Sequence, residues 1–576
     1  MENNGELNRK IYSVRNLHTV QEILLTSAHI FADRPAFKVK HKKGGEYHDI
    51  TYRQFKEDVD AFGTYLISKG LDGKKIGIIG ANSYQWTVAY FAILSGVGIL
   101  VPLDKDLKKD EINNLAKRAN IAALIHTKKY NEYIEDLDFE LRVKTTVYQD
   151  ASKAEDPQYM LWMIEEGKKL LKQGNTDFID KKTEPDAFAS LLFTSGTTGT
   201  PKGVMLSNEN LVFSVLAPSR IVDIKEGDVS LSILPAHHTF ESTINMLTIF
   251  FQGGSIAFCE GLKYVLKNIQ EAGVSVMVGV PLIVESIYSR IWKQARAGKK
   301  GKILKRLIKL NRRLMALGID KRRTLFKSVY DKFGGRLRLF IVGAAAIELN
   351  ASRGFMDLGF DLCQGYGLTE TAPLISGVPE FERKQACKKA GSCGPVVPYG
   401  EIKINDPDAD GIGEIIYRGP NVMLGYYEMP EETEKVIKDG WFYTGDLGFL
   451  DKEGWLYITG RSKNVIVTKT GKNIYPEELE VLINQIPEVK ESMVYAKEED
   501  GGNDYIVAVQ ILPEMEIIVE NMGEDVSEKE IFEMFTEKIN EINNSLPNYK
   551  RVRNIQVREK DFIRTTTKKI KRQANL

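Results

Sequence analysis

Cysteine is scarce: Cys259, Cys363, Cys387 and Cys393 are the four thiols among 576 residues. Four are too few to staple a chain of this size, and no histidine lies close to the Cys387 and Cys393 pair to complete a zinc site. A disulfide scaffold is therefore excluded, and a reducing, cytoplasmic setting is expected. Charge of one sign is also missing, since 79 basic side chains against 78 acidic ones leave a net charge of +1. The opening MENNGELNRK is polar and no apolar stretch follows it, so no signal peptide is expected. There is neither an internal repeat nor a low-complexity tail. What is present, 43% hydrophobic and 27% charged residues, is the composition of a soluble globular protein of more than one domain.

Residues 76–103 carry no charge for 28 positions, longer than the roughly 20 that span a bilayer. Gly77, Gly80, Asn82, Gln85, Gly96, Gly98 and Pro102 interrupt that window. It divides into a strand at 76–79, a helix at 84–95 and a strand at 99–102, which predicts a buried βαβ unit instead of a membrane span. Further short apolar runs at 122–126, 188–194, 255–259, 274–280, 337–342 and 360–363 end in turn residues, with helical patterns between most of them. This alternation predicts an α/β fold, a large N-terminal body of several subdomains whose sheets are covered by helices. Past Arg461 the elements shorten, with strands at 489–495 and 506–511 flanking EEDGGND and a helix at about 527–543. The expected organisation is a body at 1–462 and a small, mobile α+β domain at 463–576.

The most informative string is LLFTSGTTGTPKGVMLS at 191–207. An apolar strand delivers a loop of small and hydroxylated residues with one lysine, which can offer backbone N–H groups, hydroxyls and a cation to a polyphosphate. It is not a Walker A loop, because Lys202 follows Pro201 and precedes Gly203. Gly96-Val97-Gly98 and Gly411-Ile412-Gly413 lack the third glycine of a dinucleotide fingerprint.

This string resembles the signature of the adenylate-forming superfamily, which includes acyl-CoA synthetases, luciferases and peptide synthetase adenylation domains. Further matches follow in the same order: GYGLTETAP at 365–373, GEIIYRGPNVMLGYY at 413–427, GWFYTGDLGFLDKEGWLYITGRSKN at 440–464 and FIRTTTKKIKRQ at 562–573, with a weaker ITYRQF at 50–55. The resemblance implies that a carboxylate attacks the α-phosphate of ATP, giving an acyl adenylate and pyrophosphate, and that a thiol then displaces AMP. It implies no protein nucleophile, so catalysis rests on positioning and charge neutralisation.

By the same resemblance, Thr194, Ser195, Gly196, Thr197, Thr198, Gly199 and Lys202 hold the β- and γ-phosphates. Glu370 ligates magnesium, with Thr194 beside it. Tyr366, with Gly367 and Thr369, and the turn Gly343-Ala344-Ala345 line the adenine. Asp446 and Arg461 grip the ribose hydroxyls, and Lys463 lies at the hinge of the small domain. Gly471 lets the pantetheine thiol of CoA pass. Lys569 matches the lysine of the family's C-terminal motif, which acts at the α-phosphate and carboxylate. The family's glycine before it is Lys568 here, which puts two cations side by side.

LPAHHTFES at 234–242 resembles the long-chain acyl-CoA synthetases and places His238 near the acyl carboxylate, with Glu241 just beyond. A carboxylate near this point pairs with the amine in amino-acid-activating relatives, so that reading stays open through Glu241. Between Lys293 and Lys327 lie 14 basic residues and one acid, Asp320, a local charge of +13 in a chain of net +1. Ile303, Leu304, Leu307, Ile308, Leu310, Leu314 and Leu317 recur there near helical spacing, which predicts a basic amphipathic helix suited to an anionic membrane surface on the inner face. A solvated helix docked on the body is the rival; nucleic acid is not expected as a partner, because basic charge alone is a weak cue. The expected function is an AMP-forming long-chain fatty acid–CoA ligase using ATP, magnesium and CoA. Ligation to acyl carrier protein, release of the acyl adenylate, amino-acid activation and non-catalytic binding of ATP or lipid are the alternatives, and a homo-oligomer is left open.

Overall fold

The computed structural model describes residues 11–194, 201–297, 301–345, 347–467, 472–498, 505–564 and 570–576. The chain forms two compact units: residues 1–401 with 417–442, and residues 402–416 with 443–576.

The first unit contains two large sheets. One has seven strands, with Lys74–Ile79 in its interior between parallel neighbours Gly98–Leu103 and Ala123–Thr127. The uncharged window is thus the expected βαβ unit: strand Lys74–Ile79, helix Tyr84–Ala92, strand Gly98–Leu103. The helix is shorter than its sequence pattern, because a π-helical turn, Ile93–Val97, takes over its last residues. The helix is buried along its whole length, which explains why it needs no charge. Among the described residues no helix is long and apolar enough to cross a membrane.

The other sheet has eight strands, including Val276–Gly279, Leu339–Val342 and Asp361–Tyr366 side by side in parallel. A continuous core draws side chains from both sheets, among them Phe37, Ile256 and Val276 from one and Ile76, Leu100 and Val204 from the other. Helices Tyr52–Ser68 and Tyr84–Ala92 add Phe55 and Phe91, whose ring centroids lie 5.0 Å apart edge to face, with Phe37 4.6 Å from Phe55. Aromatic pairs of this geometry add about 0.5–1.5 kcal/mol each beyond their buried area. Local signals set the ends of these elements. Thr51 begins the helix Tyr52–Ser68 with a reciprocal capping box, its hydroxyl taking the Gln54 N–H and Gln54 reaching back to the Thr51 N–H.

The second unit contains a three-stranded sheet, Val489–Glu498, Tyr505–Pro513 and Val552–Val557, covered by the helix Glu528–Ser545. Ser527, the first residue of the predicted helix, is its N-cap.

The basic segment of the first unit folds as expected into a helix, Gly301–Ala316. Leu304 and Asn311 face the body, where the Asn311 side chain donates to the Asp357 carbonyl at 3.0 Å and Arg312 pairs with the Asp357 carboxylate. Ile303, Leu310 and Leu317, seven residues apart, are instead 56%, 44% and 75% exposed. The apolar pattern seen in the sequence is therefore split between a docked face and an open one.

Candidate active site

The phosphate-loop candidate joins two antiparallel strands of the seven-stranded sheet, Phe188–Thr194 and Lys202–Ser207, with Thr194 opposite Lys202. Ser195, Gly196, Thr197, Thr198 and Gly199 lie outside the described residues. Arg118, at the end of the helix Lys109–Ala119, hydrogen-bonds the Pro201 carbonyl and stands over the Phe193 ring, bracing both ends of the loop. The Lys202 ammonium donates to Glu432 Oε2 at 2.6 Å and lies 4.7 Å from the centroid of the Tyr426 ring. Tyr426 pairs with Val204 on the neighbouring strand, which fixes the ring below the lysine.

The Tyr426 hydroxyl donates to Glu370 Oε1 at 2.9 Å. Burial and the adjacent Glu370 charge push the Tyr426 phenol well above its ordinary value, so it stays a donor at any physiological pH. Glu370 sits in the turn Thr369–Thr371, and its own carbonyl accepts from the Met423 N–H at 2.8 Å. A single aromatic side chain thus joins the carboxylate proposed to bind metal and the lysine proposed to bind phosphate. The Thr194 hydroxyl donates to the Lys202 carbonyl at 3.4 Å; a carboxylate and a hydroxyl are hard oxygen donors, so the residue types of Glu370 and Thr194 suit magnesium when phosphate oxygens and water complete its shell.

Gly343, Ala344 and Ala345 leave the carboxyl end of Leu339–Val342, while Tyr366 and Gly367 leave the end of the parallel neighbour Asp361–Tyr366. Ligands of open α/β sheets bind at such strand ends. Two of these positions have a constrained backbone. A Cβ on Gly367 would come within 1.7 Å of the Pro373 carbonyl oxygen. Ala344 is held at φ 70°, a left-handed conformation that costs an alanine about 1–2 kcal/mol.

His238 lies in a turn held by Asn82, whose amide donates to Ser232 Oγ at 2.7 Å and to the Leu234 carbonyl at 2.6 Å, and whose oxygen accepts from the Ala236 N–H at 3.0 Å. The rings of His237 and His238 are 4.1 Å apart, and His237 Nε2 lies 3.5 Å from Asp104. Burial, helped by His238 and Lys105, drives the His237 imidazole well below its ordinary value and keeps it neutral. Phe240, two residues beyond His238, is close enough to the Gly343 backbone that an added Cβ there would meet its ring at 3.2 Å. The histidine turn and the proposed adenine-lining turn are therefore neighbours.

Glu241 is the second residue of a π-helical segment, Phe240–Leu247, and is fully buried. Its Oε1 accepts from Ser232 Oγ at 2.5 Å and from the Asn245 amide at 2.8 Å. Burial pushes its carboxyl up to about 7. This carboxylate ties the turn to strand Val229–Ser232 instead of opening to a substrate.

In the second unit, Asp446 and Arg461 are direct partners on the antiparallel strands Trp441–Leu450 and Leu456–Arg461, with Arg461 Nε 2.7 Å from Asp446 Oδ1. Asp446 is buried; the residue before it in the strand, Gly445, donates its N–H to Glu414 at 2.9 Å. Lys463 is exposed in the next turn, Ser462–Asn464. Gly471, Lys568 and Lys569 lie outside the described residues. The chain on either side of the two lysines is anchored: Arg564 pairs with Ile570 across a bridge, and Arg572 makes 2.7 Å bonds to both oxygens of Glu480.

Arg118, Asn82, Tyr426 and Glu432 escaped the sequence reading. Tyr426 is the penultimate residue of a matched motif and Glu432 follows it by six residues, so their neighbourhood carried a signal; nothing local marks Arg118 or Asn82.

Known proteins resemble this chain in sequence and in fold. The chain is 27% identical over 511 residues to the long-chain-fatty-acid–CoA ligase ACSBG2 of Xenopus laevis, covering 83% of this chain and 67% of that one. It is 26% identical over 557 residues to fatty acyl-CoA synthetase B of Dictyostelium discoideum, covering 90% and 80%. Among solved structures, the anthranilate CoA ligase AuaEII in complex with anthranoyl-AMP superposes with a TM-score of 0.76 at 19% identity, covering 97% of both chains. The Bacillus subtilis o-succinylbenzoate CoA synthetase with ATP and magnesium superposes with a TM-score of 0.70 at 21% identity, covering 96% of this chain and 98% of that one. The family described as AMP-binding enzyme matches residues 24–427, so the chain belongs to the AMP-binding enzymes.

Proposed function

We propose that this AMP-binding enzyme is an ATP-dependent, AMP-forming long-chain fatty acid–CoA ligase. The observation that carries the reading is the linkage of Lys202 and Glu370 through Tyr426, beside a loop whose composition suits a polyphosphate. The relatives named as long-chain fatty acid–CoA ligases supply the substrate class.

In the first half-reaction a carboxylate oxygen of the fatty acid forms a bond to the α-phosphorus of ATP, and pyrophosphate leaves. In the second the thiol sulfur of CoA bonds to the acyl carbon, and AMP leaves. Thr194, Ser195, Gly196, Thr197, Thr198, Gly199 and Lys202 hold the β- and γ-phosphates, where preorganised donors lower the cost of charge developing on the leaving group. Magnesium, held by Glu370 and Thr194 with the phosphates, would neutralise part of that charge. Tyr366, Gly367, Thr369 and the turn Gly343-Ala344-Ala345 hold adenine. Asp446, braced by Arg461, accepts the ribose hydroxyls. His238 orients the acyl carboxylate. Lys569 serves the adenylation step, Gly471 admits the pantetheine arm, and Lys463 marks the hinge of a small domain at 463–576. The burial of Glu241 supports an uncharged acyl group over an amino acid, because an amine-binding carboxylate has to face its ligand. Incubation with ATP, palmitate and CoA tests the reading: palmitoyl-CoA, AMP and pyrophosphate are expected, whereas adenylate without thioester, or ADP, would refute it.

We further infer that the basic helix Gly301–Ala316 lies on anionic lipid. Exposed Ile303, Leu310 and Leu317 run beside exposed Lys302, Arg306, Lys309 and Arg313, and each basic residue near such a surface contributes about 1 kcal/mol. Neutralising four of these cations should abolish sedimentation with phosphatidylglycerol liposomes at low salt; unchanged sedimentation refutes the contact.

A further inference from the structure

Lys202 does not wait for its ligand with a bare charge. Its side chain is 19% exposed, and its ammonium is met at 2.6 Å by Glu432, whose side chain is 29% exposed, on the short helix Pro430–Val436. The opposite oxygen of Glu432 bonds to Lys435, one turn further along the same helix. The helix is registered to the site, because Thr433 Oγ1 accepts from the Tyr426 N–H at 2.8 Å. The Lys202 hydrogen bond, followed by that of Lys435, draws the Glu432 carboxyl down to about 2, so it is a full anion wherever the enzyme works.

We propose that Glu432 is a built-in counterion that occupies Lys202 until a polyphosphate displaces it, so that Glu432 sets the affinity for pyrophosphate and ATP while Lys435 sets how readily it lets go. This rests on the reading of Lys202 as a phosphate-binding lysine. The exchange conserves charge locally. An incoming phosphate oxygen replaces one anion at the lysine with another, and the displaced carboxylate retains Lys435 as its partner instead of being stranded. When pyrophosphate is the leaving group, the return of Glu432 to Lys202 competes with it and favours its departure. A lysine suits such an exchange, because its ammonium is a point charge on a flexible stem with three equivalent donors.

The two partners of Glu432 give variants of opposite sign. Glu432→Gln removes the competitor and should tighten binding of magnesium pyrophosphate by about two- to fivefold, the range of partly exposed ion pairs. Lys435→Met leaves Glu432 wholly to Lys202 and should weaken binding by a similar factor. In the double variant the Lys435→Met effect should vanish. Isothermal titration calorimetry of the full chain with magnesium pyrophosphate reads this directly, and the KM for ATP should move in the same direction. Unchanged or weaker binding by Glu432→Gln in a chain with wild-type melting behaviour overturns the counterion role, as does tighter binding by Lys435→Met. Lys202→Met separates the two readings: if it abolishes the pyrophosphate binding of the wild type, the phosphate-site reading stands even where the Glu432→Gln or Lys435→Met result has overturned the counterion. If Lys202→Met binds as the wild type does, the phosphate-site reading fails with it.

Discussion

Replacing Tyr426 by phenylalanine isolates one hydroxyl. The ring stays 4.7 Å below the Lys202 ammonium and the backbone stays paired with Val204, while the 2.9 Å bond to Glu370 is lost. A hydrogen bond to a charged acceptor is worth about 1.5–3 kcal/mol, and partial access of water to Glu370 reduces the net effect to about 1 kcal/mol. If that energy orients Glu370 for adenylation, kcat/KM should fall about fivefold. Tyr426→Ala, which also removes the ring beneath Lys202, should lose a further 0.5–1 kcal/mol or about two- to fivefold. Palmitate-dependent exchange of labelled pyrophosphate into ATP, measured across magnesium concentrations, is the assay, and the phenylalanine variant should need more magnesium for half-maximal exchange. The decisive comparison is a double-mutant cycle with Glu370→Ala. The two substitutions should couple by about 1 kcal/mol, because each removes one end of the same bond. Additive losses would show that Tyr426 does not act through Glu370 and would refute the proposed linkage of lysine and carboxylate.

Three further outcomes follow from single residues. The folded chain holds the Glu241 proton to about 7, whereas an unfolded chain releases it near 4.5, so the stability of the larger unit should fall as pH rises through that interval and the loss should be complete above it; in urea unfolding, Glu241→Gln should gain on the wild type by about 3 kcal/mol between pH 4.5 and 8, and parallel profiles would show that Glu241 does not titrate there. Lys569→Ala should abolish adenylation while sparing thioester formation from supplied palmitoyl adenylate, and if Lys568→Ala does this instead, the motif is read one residue out of register. Gly367→Ala places a Cβ against the Pro373 carbonyl and should destabilise the turn by about 2 kcal/mol with loss of ATP affinity, a result contradicted by wild-type calorimetric binding.

The sequence revealed elements wherever a local rule decides the outcome. The strand expected at 188–194 is Phe188–Thr194, because an apolar run ended by small hydroxylated residues has no competing conformation. The uncharged window resolved into strand, helix and strand for the same reason, although no periodicity marked the π-helical turn that ends its helix early. The site is different. Lys202 and Glu432 are 230 residues apart, Asn82 and Leu234 are 152, and Arg118 and Pro201 are 83. Such pairs are made by sheet order, which places distant segments side by side, and hydrophobic periodicity does not report it. Tyr426 shows the intermediate case: its motif was legible, but its bond to Glu370 depends on the Met423 N–H docking on the Glu370 carbonyl.

Glu241 shows why residue type alone left the substrate class open. In sequence it is a carboxylate three residues past a histidine, equally suited to gripping an amine or to bracing a turn. Burial separates these roles. A carboxylate meant for an ammonium ligand has to keep a solvated face and remain ionised, whereas Glu241 is enclosed, bonded to Ser232 and Asn245, and pushed up to about 7. An ammonium group reaching it would have to lose its own hydration in a fully buried site, and half of the carboxyl groups would be neutral at neutral pH. The anionic end of a fatty acid makes no such demand, because it needs donors and the absence of a nearby negative charge. The hydrogen bonds from Ser232 and Asn245 hold the Glu241 carboxyl inside the fold, which favours the proposed fatty acid over an amino acid.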